Sequence, residues 1–134
     1  MSKAAKYAED IINKFDVRTD SAKNSAKNLS GGNLQKFLIG RELNQNPEVL
    51  VVNQPTWGVD ASAAQFIRQS LLDLISKGNA VIVISQDLDE LLEISDRFTA
   101  LVNGSISKPQ LTHTLSVSEI GLMLSTENQT GVEA

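Results

Sequence analysis

The chain has no cysteine, a single histidine, three prolines and only 4% aromatic residues in 134 positions. The missing cysteine removes disulfides and thiolate metal sites and suits a reducing cytoplasm. His113, alone in a Thr-His-Thr stretch, has no second imidazole to share a metal or a proton with, and is expected to be a solvated loop residue. The longest apolar runs are four to five residues, far short of the roughly 20 that a membrane-spanning helix needs. Residues 1 to 14 intersperse Lys, Glu and Asp with Ala and Ile, unlike a secretory leader. No Gly-x-x-x-x-Gly-Lys-Ser/Thr occurs, so the loop that cradles a nucleotide's own phosphates is absent.

What is present suits an aliphatic α/β interior. Hydrophobic residues make up 41% of the chain, enough for a core in one domain or part of one. The net charge of −4 is uneven: residues 1 to 41 carry 8 basic against 4 acidic side chains, and residues 42 to 134 carry 4 against 12. The basic part flanks the stretch singled out below, and serves either as an anion-facing surface or as a solvated helix face. It has no interleaved aromatics and a modest charge density, which argues against nucleic-acid binding.

Hydrophobic spacing predicts a first helix over residues 2 to 14, with Ala5, Ala8, Ile11, Ile12 and Phe15 on its apolar face, then a polar loop over 19 to 28. Val49-Leu50-Val51-Val52 reads as a buried strand after Pro47. Asp60 is placed to cap a helix bearing Ala63, Phe66, Ile67, Leu71, Leu74 and Ile75, stopped at Gly78. A second strand follows over 80 to 85. Asp87 and Glu90 suggest a capping box for a short helix, residues 97 to 107 a hairpin turning at Asn103-Gly104, and residues 116 to 125 a last helix, with fraying beyond Thr126. This order implies a mostly parallel sheet with an antiparallel edge.

Residues 28 to 60 carry the chemistry. Ser30 is positioned as a helix N-cap, followed by Leu34, Phe37, Leu38 and Leu43 at helical spacing, with Gln35, Lys36 and Arg41 on the other side. Gly31 and Gly32 let the backbone approach another group closely, and the first-turn N–H groups point out of the helix end, which suits a phosphate. The next strand ends in Asn53-Gln54, followed by Pro55-Thr56-Trp57-Gly58-Val59-Asp60.

In this order and spacing, Leu29-Ser30-Gly31-Gly32-Asn33, the strand ending at Asn53-Gln54 and the turn to Asp60 resemble the signature motif, Walker B strand and D-loop of ATP-binding cassette (ABC) ATPases. Val81 to Asp87 resembles the switch strand of that family. The resemblance implies an α/β fold: a partial P-loop NTPase (RecA-like) core, its sheet mostly parallel with an antiparallel edge hairpin, plus the tail of the ABC helical subdomain. It divides the chain into 1–46, the end of the helical subdomain with the signature helix, 47–126, the C-terminal half of the core, and 127–134, a frayed tail. Walker A and the family's Gln-containing loop are both missing.

The departures point to one branch of the family. Where ABC ATPases end the Walker B strand in Asp-Glu, this chain has Asn53 and Gln54, and the switch histidine is Gln86. Neutral amides hold a divalent cation weakly and cannot take a proton; losing a general base alone costs roughly 10² to 10⁴ in rate. The competing reading makes Asn53 and Gln54 strand-end residues that satisfy local backbone groups. Asn33-Leu34-Gln35-Lys36, Gln54-Pro55-Thr56-Trp57-Gly58 and Glu119-Ile120-Gly121-Leu122-Met123 together look like the second, degenerate cassette of bacterial simple-sugar and nucleoside importer ATPases.

By that resemblance Leu29, Ser30, Gly31, Gly32, Asn33 and Gln35 would contact ATP held by a partner cassette, and Asp60 would be the D-loop acid as well as, or instead of, a helix cap. Catalytic and metal-ligating residues are expected to be none. ATP and Mg²⁺ would act in the full transporter, with neither bound tightly by this chain alone. The implied partners are the N-terminal cassette of the same subunit or another ATPase subunit, two membrane permease chains and, indirectly, an external substrate-binding protein. The implied location is the cytoplasmic face of the membrane. The alternative function is a non-catalytic interaction or regulatory module that docks on a complete cassette.

Overall fold

A computed structural model describes residues 2–125 of the chain. They divide into two compact units, with the boundary between Gln86 and Asp87. The fraying expected beyond Thr126 lies outside the described residues.

The first unit begins with α1 (Lys3–Lys14), which Ser2 caps by accepting a hydrogen bond from the Ala5 N–H. Ile11 is fully buried and Phe15, just past the helix end, is nearly so. Asp16 then turns the chain in the left-handed region at φ 48°, and Val17 drops back into the core. After the polar loop comes α2 (Gly31–Leu43). Its buried face is Lys36, Ile39, Gly40 and Leu43, which corrects the sequence expectation at Lys36, placed there on the solvated side. The Lys36 stem packs inward while its ammonium finds partners. At Gly40 an added Cβ would lie 2.6 Å from Phe15 Cδ2 and 3.1 Å from Ile11 Cγ2, so only glycine lets α1 and its exit turn approach this closely. The helix stops at Leu43, ahead of Pro47; Asn46, at φ 50°, turns the chain first.

β1 (Val49–Asn53) and β2 (Ala80–Ile84) form a parallel pair running from Val49↔Ala80 to Asn53↔Ile84, joined by the crossover helix α3 (Ala61–Ile75). The helix is capped as expected by Asp60 Oδ1, which accepts from the Ala63 N–H at 2.9 Å. Its Ala63, Ile67, Leu71 and Leu74 are buried at helical spacing. β1 is not buried on both faces. Leu50 and Val52 are 6% and 7% exposed, but Val49 and Val51 are 59% and 58% exposed, and Ile82 and Ile84 on β2 are 53% and 49% exposed. Only one face of the sheet is covered by α1, α2 and α3, so an all-apolar strand ends up alternating. One core runs through the unit from Ile11 and Phe15 to Ile67 and Leu74.

The second unit holds α4 (Leu88–Ile94), four short strands and α5 (Val117–Leu124). Asp87 caps α4 through the Glu90 N–H at 3.0 Å. β4 (Leu101–Val102) and β5 (Ser105–Ile106) form the expected hairpin, with Asn103 and Gly104 at φ 50° and 82°, the primed geometry that matches strand twist. Arg97 does not belong to that hairpin: β3 (Arg97–Phe98) pairs antiparallel with β6 (Gln110–Leu111). Ser116 and Glu119 form a reciprocal capping box at the start of α5, which buries Ile120 against Phe98 and Ala100. Those Ser116 hydrogen bonds hold the Glu119 carboxyl below its ordinary pKa.

Candidate functional site

The starts of α2 and α3 meet. A Cβ on Gly32 would lie 3.2 Å from Ala63 Cβ and 3.4 Å from Asp60 Oδ2, and one on Gly31 would lie 3.4 Å from the Gly58 carbonyl oxygen. Gly58 itself turns at φ 69°. The corner opens into a cavity of about 180 Å³ lined by Arg18, Ser30, Gly32, Asn33, Lys36 and Asp60. Drug-sized ligands occupy about 300–1,000 Å³, so this cavity has room for a phosphate group but not for a whole nucleotide.

Ser30 sits at the N-cap position of α2, with φ −63° and ψ 158°, but its side chain caps none of the first-turn N–H groups. Asn33 explains why. The Arg18 backbone N–H, which can only donate, meets Asn33 Oδ1 at 2.7 Å and so fixes which way the amide faces. The Asn33 Nδ2 then donates to Ser30 Oγ at 2.8 Å. The Ser30 hydroxyl is an acceptor in that bond, so its own hydrogen remains to be donated to another group.

Lys36 and Asp60 also line the cavity, Lys36 with its ammonium occupied and Asp60 with one carboxylate oxygen engaged and Oδ2 toward Gly32. The Lys36 ammonium reaches Asp16 Oδ2 at 3.0 Å and the Asp16 carbonyl at 3.3 Å, and lies 4.9 Å from the centre of the Phe66 ring. The hydrogen bond and the charge of Lys36 hold the Asp16 carboxyl below its ordinary value, with a smaller contribution from Arg18. Asp60 uses Oδ1 as a helix cap. Arg18 is exposed, and its guanidinium makes no salt bridge among the described residues.

The sequence-singled residues therefore fall in two places. Ser30, Gly32, Asn33 and Asp60 share the cavity; Gly31 stands at its edge against Gly58, while Leu29 packs against the core and Gln35 is half-buried on α2. Asn53, Gln54 and Gln86 gather instead at the C-terminal ends of β1 and β2. Gln54 has φ 50°, donates its N–H to the Ile84 carbonyl at 2.7 Å and accepts at its own carbonyl from the Trp57 N–H at 3.2 Å. These contacts use backbone atoms and leave the side-chain roles of Asn53 and Gln54 open. Neutral amide oxygens are poor Mg²⁺ ligands beside carboxylate and phosphate, so this end of the sheet does not fit a tightly held Mg²⁺. Arg18 escaped the motif reading; its signal in the sequence was only its place in the basic first third. A larger cavity of about 250 Å³, between Lys14, Phe15, Leu43 and Phe66, contains none of the singled-out residues.

A parallel βαβ unit with a glycine-opened helix end set against the turn after β1 is the arrangement of part of an ABC-type P-loop NTPase cassette. The solved structures agree. A dimeric ATP-binding cassette in a post-hydrolysis state with ADP and Pi superposes with a TM-score of 0.70 and 26% identity, over 84% of this chain and 49% of that one. No family model matches the chain. Among curated proteins it is 39% identical over 123 residues, 92% of its length, to the nucleoside import ATP-binding protein NupA of Lactococcus lactis subsp. cremoris. It is 43% identical over 102 residues, 75% of its length, to the glucose import ATP-binding protein TsgD13 of Haloferax volcanii. The chain belongs to the ABC ATP-binding proteins, with sugar and nucleoside import ATP-binding proteins as its relatives. It spans 24% and 18% of the length of those two.

Proposed function

We propose that this chain acts within the ATP-binding subunit of an importer for simple sugars or nucleosides, and that it supplies the signature motif in trans to ATP bound on a partner cassette. The observation that carries the reading is the cavity itself. It has room for a phosphate, and is edged by uncapped helix N–H groups and a serine hydroxyl that accepts from Asn33 and so keeps its own hydrogen to donate. Developing negative charge on a γ-phosphate placed there would be stabilised by those donors and by the positive end of the helix dipole. The Asn53, Gln54 and Gln86 end, with no carboxylate at the family's positions, is the degenerate half of the same cassette. In this reading residues 1–46 end a helical subdomain and residues 47–126 complete a RecA-like core.

ATP and Mg²⁺ are then bound by the facing cassette rather than by this chain. The partners are that cassette, two membrane permease chains and, through them, an external substrate-binding protein, with the chain peripheral on the cytoplasmic side. No described helix is long and apolar enough to cross a membrane. The test uses the reconstituted importer that contains this chain. Ser30→Arg fills the cavity and should abolish ATP hydrolysis, and calorimetry on the chain alone should find no tight Mg²⁺-dependent ATP binding. Hydrolysis undiminished by Ser30→Arg would refute the role in trans, and tight binding by the isolated chain would refute the division of labour.

A further inference from the structure

The signature cavity has a cation that the motif does not include. We infer that Arg18 is a phosphate contact of this site, and that Asn33 is the positioning residue that holds both Arg18 and the Ser30 hydroxyl ready for it. The inference rests on the reading of the cavity as a phosphate site.

Three charged side chains line the cavity, and two of them are engaged. Lys36 is buried, with its ammonium spent on two oxygens of Asp16 and on the face of Phe66. Asp60 is an anion and a helix cap. Arg18 has a solvated guanidinium with no salt bridge among the described residues, so it is the group in this cavity with charged donors to offer. A guanidinium presents five N–H donors in a planar fork that matches two oxygens of a phosphate.

Its backbone is unusually well fixed for an exposed residue in a connecting segment. Asp16 makes the left-handed turn out of α1, the Val17 N–H donates to the Ile12 carbonyl at 3.0 Å, and the Val17 side chain is 5% exposed in the core. The Arg18 N–H is then clamped to Asn33 Oδ1 at 2.7 Å. Through its other end Asn33 reaches Ser30 Oγ at 2.8 Å. One amide thus ties the segment after α1 to the signature serine, so little conformational freedom remains to be lost in that backbone when an anion arrives.

The test is steady-state ATPase of the reconstituted importer, with kcat and KM measured at low and at high salt. Arg18→Gln removes the charge and keeps the reach; kcat/KM should fall about tenfold or more, since a charge-assisted hydrogen bond contributes a factor of this order. The salt dependence of the wild type should flatten in the same variant, and Arg18→Lys should recover part of the loss. Asn33→Ala should lower kcat/KM as well, and combining it with Arg18→Gln should cost less than the product of the two single losses. Thermal unfolding of Arg18→Gln should match that of wild type, because the side chain is exposed. The inference is overturned if Ser30→Arg abolishes hydrolysis while Arg18→Gln stays within twofold of wild type at both salt concentrations. Independent, multiplicative losses for Arg18 and Asn33 would overturn the positioning role. Ser30→Arg without effect would instead bring down the phosphate-site reading on which both stand.

Discussion

Two ends of the same βαβ unit differ in what they are built from. At the α2–α3 corner, glycines bring two helix starts to within contact of each other, an asparagine orients a serine, and charged groups surround a phosphate-sized cavity. At the C-terminal ends of β1 and β2 stand three neutral side chains, Asn53, Gln54 and Gln86, on a backbone that is regular up to the Gln54 turn. Strand ends of this kind are the usual ligand site of an open α/β sheet. On the function proposed above, the working chemistry of this chain lies at the helix corner instead, and fold position and active chemistry separate within one cassette.

The most severe way to break the comparison is at Gly31. A Cβ there would lie 3.4 Å from the Gly58 carbonyl, an ordinary contact, so Gly31→Ala should leave thermal unfolding of the chain unchanged or raise it slightly. Importer ATPase should nevertheless fall by about 10²-fold if the first-turn N–H groups of α2 receive the phosphate, because a methyl group at this helix end narrows the approach to those backbone donors. Parallel loss of stability and activity would make Gly31 a packing residue only.

A purely structural glycine sharpens the contrast. Gly40→Ala would drive a Cβ to 2.6 Å from Phe15, against a helix-propensity gain of about 1 kcal/mol. Overpacking of this kind costs about 1–3 kcal/mol, so the net effect on denaturant unfolding should be destabilising. Asp60→Ala should lower stability by about 1 kcal/mol through loss of the α3 cap. If the Asp60 carboxylate also meets a partner, Asp60→Asn, which keeps a capping oxygen and so spares the fold, should still lower importer ATPase; activity unchanged in Asp60→Asn would leave Asp60 a helix cap only.

A smaller effect is expected from pH. Lys36 lowers the folded-state pKa of Asp16 below its ordinary 3.8. The pair therefore stabilises the fold fully above the unfolded value, and its contribution fades as the pH falls through the lowered one. Asp16→Asn suits the left-handed turn and should melt below wild type at pH 7, the gap closing as the pH falls below about 3.8 through the folded value. A gap unchanged in acid would mean that the ion pair contributes nothing. Smallest should be an effect on the isolated chain: its half-exposed apolar β1–β2 face should make it associate with rising concentration in sedimentation, and Val51→Thr should weaken that association.

Much of this was legible in local signals. Asp60 caps, Gly78 turns at φ 88° after α3, and Asn103-Gly104 makes its hairpin, because each depends on a few neighbouring residues. Of the residues that the motifs singled out, Ser30, Gly32, Asn33 and Asp60 line one cavity, a grouping that only the structure shows. What escaped the local signals depends on distant partners. Lys36 is buried only because Asp16, twenty positions earlier, turns a carboxylate and a carbonyl toward it. Arg18 joins the site only through the Asn33 amide, and Arg97-Phe98 left its neighbour strand for Gln110-Leu111. The exposed face of β1 reflects which layers pack on the sheet, something that an unbroken run of valines and leucine cannot reveal.

The most direct measurement is the steady-state ATPase rate of the reconstituted importer carrying Gly31→Asp, set beside that of Gln54→Ala. Gly31→Asp puts an anion at the uncapped helix end and should abolish turnover. On the proposed reading Gln54→Ala alters a half without a base and should change turnover by less than tenfold, under about 1.4 kcal/mol of barrier. Turnover lost with Gln54→Ala and retained with Gly31→Asp would contradict the account and reverse the assignment of the working and the silent end.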